Sequence, residues 1–293
     1  MLRTTRKLLE MIRFSHTVFA LPFALLSASL AWQTKPFHWS DLVGLILCMV
    51  FARSTAMAFN RWADRRYDAH NPRTAGRHLP TGQLSSGTVW FFTVGSAAAF
   101  IASTLIFWAS DNPWPLYLSV PVLLFVTAYS YTKRFTALSH YWLGAALMLA
   151  PIAAWIALRG MEDLSTPVVL GLAVLCWVAG FDMIYACQDV EFDRRTGLFS
   201  MPARIGVRRA LRLAFLCHLV MIALLVALWL IASPPLGIVY LCGVGAVTIL
   251  LLYEHWLVPP DDLSRVNQAF FVVNGVISVG LLLVVWLQFA VNG

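Results

Sequence analysis

Residues 41–80 read DLVGLILCMVFARSTAMAFNRWADRRYDAHNPRTAGRHLP, an apolar stretch that runs without a break into a charged one. The first half approaches the ~20 residues that cross a bilayer core as a helix. The second half, residues 60–80, holds five arginines, two aspartates and two histidines in a chain that is 60% apolar and only 12% charged. Continued as a helix, the pattern places Asn60, Asp64 and Asp68 on one face, because residues four apart are stacked turn on turn. A span that delivers a line of oxygen ligands to a membrane surface is the first expectation.

The rest of the chain agrees with a membrane setting. Its mean hydropathy of +0.74 is outside the range of a soluble domain, whose apolar share is about 45–50%. Nine apolar stretches are expected to span the bilayer, at 14–32, 41–60, 88–109, 115–131, 139–158, 166–188, 211–232, 234–256 and 268–290. The fold class that follows is all-α and polytopic, with nine helices around a central cavity opening near the cytoplasmic face. Basic residues are retained on the cytoplasmic side, and of the 21 Lys and Arg, 17 fall at the N-terminus and in the even-numbered gaps, with Arg212 at the adjoining edge of the seventh span. Only Lys35 and Arg159 lie in the others, and Arg53 lies within the second span. The N-terminus is therefore expected inside and the C-terminus outside. Removal of the first stretch as a secretory signal would invert this pattern, so it reads as a retained span. The net charge of +7 fits loops facing anionic lipid and calls for no nucleic acid. The five cysteines are scattered singly, with no disulfide or zinc spacing, and nothing divides residues 1–293 into more than one domain.

A second acidic cluster echoes the first. DMIYACQDVEFD, residues 182–193, closes the sixth span as the first cluster closes the second, and a basic, proline-containing loop follows each. Helical spacing aligns Asp182, Tyr185, Asp189 and Asp193, with Glu191 between. Six of the 14 acidic residues lie in these two places. Solvated helix ends with local ion pairs, each worth under about 1 kcal/mol, would account for one such cluster. Two of matching spacing on the same face, with Asp182 well inside an apolar span, favour a functional site, because ionisable groups in membranes are costly. Clustered carboxylates need a cation between them, and oxygen ligands without His or Cys suit Mg²⁺, which fills its remaining positions with water and phosphate oxygens. A diphosphate between two metal-holding clusters is the expected ligand, with Arg73, Arg77, Lys133 and Arg134 available to its other oxygens. Arg53, seven residues before Asn60, shares that helical face and is expected in the same cavity. A transporter using intramembrane carboxylates is the rival of another class, although its site would lie nearer the midplane. The D-G-x-x-A-R start of the alcohol phosphatidyltransferases is absent.

NRWADRRYDAHNPRTAGRHLPTG and YACQDVEFDRRTGLFSMPARIG, with YSYTKR at 129–134 between them, resemble the UbiA family of intramembrane aromatic prenyltransferases, most closely its 4-hydroxybenzoate polyprenyltransferase-like branch. The resemblance covers most of the chain. It implies that Asn60, Asp64, Asp68, Asp189 and Asp193 hold Mg²⁺ and that Arg73 and Lys133 bind the diphosphate. It also implies a polyprenyl diphosphate donor, an aromatic acid acceptor and a bacterial inner-membrane location in quinone biosynthesis. Arg61 departs from the acidic residue that many members carry after the Asn, and His78 interrupts a common R-P-L-P. The expected acceptor is 4-hydroxybenzoate, with a dihydroxynaphthoate as the alternative. Asp182 and Tyr185 are the expected catalytic residues: Asp182 to orient or deprotonate the acceptor, Tyr185, with Trp62, to face an allylic cation.

Overall fold

A computed structural model of the chain describes residues 2–12, 19–232 and 235–292. Every regular element among them is helical, as the apolar periodicity requires: α1 Leu2–Met11, α2 Leu21–Trp32, α3 Trp39–His70, α4 Ser86–Trp108, α5 Trp114–Thr132, α6 Ser139–Arg159, α7 Ser165–Ala186, α8 Val190–Thr196, α9 Met201–Ile205, α10 Val207–Ile231, α11 Ile238–Leu257, α12 Val266–Gln268 and α13 Asn274–Asn292. A 3₁₀ turn, Cys187–Asp189, joins α7 to α8, and a π turn, Ala269–Val273, joins α12 to α13.

Among the described residues, 8 helices are long and apolar enough to cross a membrane. They match eight of the nine expected spans. The expected first span, 14–32, falls partly on residues 13–18, which lie outside the described residues; the rest of it is α2, whose 12 residues reach about 18 Å, short of a ~30 Å core. The helices turn apolar side chains outward that water would penalise: Phe91 is 77% exposed, Ile238 71% and Trp256 70%. A lipid phase covers such surfaces at no cost.

The chain forms two compact units, one of residues 1–17 and 38–131, the other of residues 18–37 and 132–293. In the first, α3 packs along α4, and Leu8, Met11 and Ile12 cluster with Ala58, Leu84 and Val89. At 32 residues, α3 is about 48 Å long, so its last turns outrun the apolar stretch and carry Asn60 to Asp68 past it. It ends where Pro72 bars helical geometry from the residue before it; Asn71 is extended, at φ −89° and ψ 118°.

In the second unit α7 is the central helix, packed by α6 and α10, while α2 lies on α6 and α13. Its approach to both neighbours depends on glycine. A Cβ at Gly144 would strike the Leu175 carbonyl, and one at Gly180 would strike the His218 ring. Trp177, Val178 and Met183 of α7 are fully buried. The polar residues at its end therefore project from a tightly held element.

Candidate functional site

In the first unit the N-x-x-x-D-x-x-x-D residues share one face of α3, as their spacing predicts. The Asn60 amide donates to Asp64 Oδ2 at 2.9 Å and reaches Ser130 Oγ of α5 at 3.5 Å, while Arg61 donates to Asn60 Oδ1 at 3.2 Å. Asp68 is buried and engaged by Arg77, which donates to Oδ1 at 2.6 Å and Oδ2 at 2.8 Å. Thus a residue expected on a metal and one expected on phosphate are paired with each other. The loop between them is drawn tight by Thr74, whose hydroxyl donates to the Asp68 carbonyl, and by Asn71, whose side chain accepts from the Arg73 N–H. Arg73 itself is exposed, and Arg53 is partly buried within α3. The Trp62 ring lies 4.9 Å from Trp90 of α4 and 4.7 Å from the Arg65 guanidinium. It packs the α3–α4 interface.

In the second unit the expected single face from Asp182 to Asp193 is broken. The 3₁₀ turn at Cys187–Asp189 winds the chain more tightly than an α-helix, so α8 does not continue the register of α7. Asp189 and Asp193 are nonetheless both buried, at 6% and 2% exposure, whereas Glu191 is exposed. Gly197, at φ 70°, ends α8 in the left-handed conformation, and its N–H and that of Leu198 both cap the Asp193 carbonyl. The chain then runs back so that the Phe199 N–H donates to the Lys133 carbonyl at 2.7 Å. This fastens Lys133 beside the second motif, with its Nζ 3.9 Å from Asp193 Oδ2. That distance leaves Oδ2 buried without a hydrogen bond. Arg134 is partly buried in the same segment.

Asp182 has a partner that its sequence neighbourhood does not reveal. Fully buried His140, at the start of α6, lies with Nδ1 2.7 Å from Asp182 Oδ2, and the Met201 N–H donates to its Nε2 at 3.3 Å. An amide donor on Nε2 leaves the ring proton on Nδ1, so a neutral His140 donates to the Asp182 carboxylate. The only sequence signal was a histidine at the mouth of an apolar stretch, 42 residues away. One turn on, Tyr185 meets Phe270 and Phe271 of the π turn, with ring centroids 4.3 Å and 6.2 Å away.

A family model for UbiA prenyltransferases matches residues 20–276. The chain belongs to the UbiA prenyltransferase family. Two relatives, each called 4-hydroxybenzoate octaprenyltransferase, are 30% identical to it: that of Nitrosospira multiformis over 80% of this chain and 78% of its own, and that of Tolumonas auensis over 84% and 87%. The solved apo structure of a UbiA homolog from Aeropyrum pernix K1 superposes with a TM-score of 0.82 at 30% identity, covering 95% of this chain and 98% of that one. A UbiA homolog from Archaeoglobus fulgidus, solved with DMAPP and Mg²⁺, shares the fold at a TM-score of 0.74 and 20% identity, over 97% of this chain and 99% of that one.

The residues of this UbiA protein suit a hard divalent cation. Asn60, Asp64, Asp189 and Asp193 offer oxygen alone, and the unsatisfied, buried Asp193 Oδ2 is the kind of atom that a metal completes. Among the described residues no group of three or more His, Cys, Asp or Glu side chains is placed to hold a metal ion.

Proposed function

We propose that the chain, working as one domain, transfers a polyprenyl group from an isoprenoid diphosphate to 4-hydroxybenzoate in the bacterial inner membrane, as a step of respiratory quinone synthesis. The observation that carries this reading is the buried pair Asp189 and Asp193 with Lys133 beside it, one anionic and one cationic arm at the end of a span. Such an arrangement suits a ligand with an anionic head and an apolar tail. The names of the two relatives support the acceptor, and the ligands of the A. fulgidus homolog support the donor and the metal. A dihydroxynaphthoate presents a comparable phenolic ring and is the competing acceptor. Membership of a prenyltransferase family removes the motive for the transporter reading.

Mg²⁺ bound by these residues would neutralise the diphosphate and make it a better leaving group. Asn60 and Asp64 would hold it on one motif, Asp189 and Asp193 on the other. Asp68 would join them on exchanging Arg77, whose guanidinium, with Arg73, Lys133 and Arg134, would then be available to phosphate. The bond between the allylic carbon and the diphosphate oxygen breaks, and its electron pair leaves with the diphosphate. Tyr185 and its aromatic neighbours face the resulting cation and exclude water. A carbon of the phenolic ring then bonds to it and loses its proton to Asp182, which His140 holds in place. Arg53, within its span, pairs with the acceptor carboxylate.

A panel of aromatic acids assayed with one polyprenyl diphosphate tests the acceptor. The largest kcat/KM is expected for 4-hydroxybenzoate, and a clear preference for a dihydroxynaphthoate would transfer the proposal to the alternative. Orientation follows from the basic residues: a reporter after Gly293 is expected outside and one within residues 71–85 inside. Both reporters on one side would refute the nine-span arrangement.

A further inference from the structure

The least expected polar group in the apolar core is not part of either acidic motif. Glu254 of α11, Asn274 of α13 and Trp177 of α7 are all wholly buried, and they are linked. The Trp177 indole N–H, which can only donate, lies 2.6 Å from one amide atom of Asn274 and so fixes that atom as Oδ1. The Asn274 amide nitrogen must then be the donor, and it is placed as one: 2.8 Å from Glu254 Oε1 and 3.2 Å from the Ala269 carbonyl. Ala269 opens the π turn, where the wider winding disturbs the regular ladder and a carbonyl needs an outside partner. Glu254 Oε2 has no hydrogen bond at all. Three polar side chains in a membrane core are a costly way to join helices, and simple packing would not need them.

Their position gives them a use. The π turn that Asn274 caps presents two consecutive phenylalanines to Tyr185, and Phe270 also meets Phe181 at 5.1 Å and Phe19 at 5.5 Å. Trp177, which grips Asn274, lies two turns before Tyr185 on α7 and stacks edge-on against Phe181 at 4.9 Å. The same hydrogen bonds therefore hold both sides of the aromatic cluster in register.

We propose that Asn274, gripped by Trp177 and Glu254, is a positioning residue that holds the π turn so that Phe270 completes, with Tyr185, the aromatic wall facing the allylic cation. This rests on the prenyl-transfer reading above. Once the carbon–oxygen bond to diphosphate has broken, the cation has two fates. A ring carbon can bond to it and release a proton, giving the prenylated arene; or a water oxygen can bond to it and release a proton, giving the prenyl alcohol. A displaced wall admits water, so the partition between the two products reads the position of Phe270 directly.

The test uses the full-length protein in nanodiscs with an allylic prenyl diphosphate, Mg²⁺ and 4-hydroxybenzoate, and quantifies both products. For Asn274→Ala and Phe270→Leu the ratio of alcohol to arene is expected to rise about fivefold or more, with the donor KM changed by less than about twofold, because neither residue touches the diphosphate. Glu254→Leu, which removes the side-chain acceptor of the Asn274 amide and leaves only the Ala269 carbonyl, should shift the ratio in the same direction as Asn274→Ala, while Glu254→Gln, which keeps an acceptor, should bring the ratio back toward that of the parent protein. Phe270→Leu decides the matter if Asn274→Ala fails to fold. An unchanged ratio in Phe270→Leu, or a raised donor KM as the sole defect, overturns the proposal. A parent protein that forms no arene from any acceptor overturns the prenyl-transfer reading instead, and is seen before any variant is made.

Discussion

Replacing Asp64 or Asp189 by alanine is expected to lower prenyl transfer by at least about a hundredfold while leaving the protein inserted and folded. Each carboxylate belongs to a different motif, so neither loss can be made good by the other cluster. Asp64 accepts from the Asn60 amide on its own helix face, and Asp189, which precedes α8, makes no side-chain cap to that helix. Structural damage should therefore be slight, and a size-exclusion profile and thermal transition close to those of the parent protein would show it. Transfer at more than about a tenth of the parent rate by either variant would sink the assignment of its carboxylate to the metal site.

Arg73→Ala and Lys133→Ala should each weaken use of the prenyl diphosphate about ten- to a hundredfold, from charge-assisted phosphate contacts worth about 1.5–3 kcal/mol. The defect should fall on the donor and spare the KM for the aromatic acid, which carries no diphosphate. Lys133→Ala carries a second consequence, since its Nζ is also the cation nearest to buried Asp193. Steady-state kinetics with each substrate varied in turn separates these effects; normal donor kinetics with a lost acceptor affinity would assign the basic residues to the wrong substrate.

Much of this architecture was written in periodicity. The apolar stretches gave eight helices because membrane interiors force backbone hydrogen bonds to close within each segment, leaving little room for another solution. The i, i+4, i+8 spacing of Asn60, Asp64 and Asp68 survived because α3 runs unbroken to His70. The same argument failed from Asp182 to Asp193, where a 3₁₀ turn intervenes, since one turn of tighter winding leaves no mark on composition. Pairing was the least legible. Asp68 with Arg77 and Asp182 with His140 join residues whose separation carries no period, so only the folded chain shows that Arg77 is engaged by a carboxylate and that Asp182 has a neutral histidine behind it. Trp62 is a further case: the motif gives no sign that its ring also packs against Trp90 of α4.

Pyrophosphate release by the purified protein from an allylic polyprenyl diphosphate, followed with and without 4-hydroxybenzoate and with and without excess EDTA, probes metal-assisted prenyl transfer most directly. Release is expected only when Mg²⁺ and the aromatic acid are both present, in step with formation of the prenylated acid, and manganese should replace magnesium as another oxygen-preferring cation. Release that persists in EDTA, or that proceeds at the same rate without any aromatic acceptor, would contradict it.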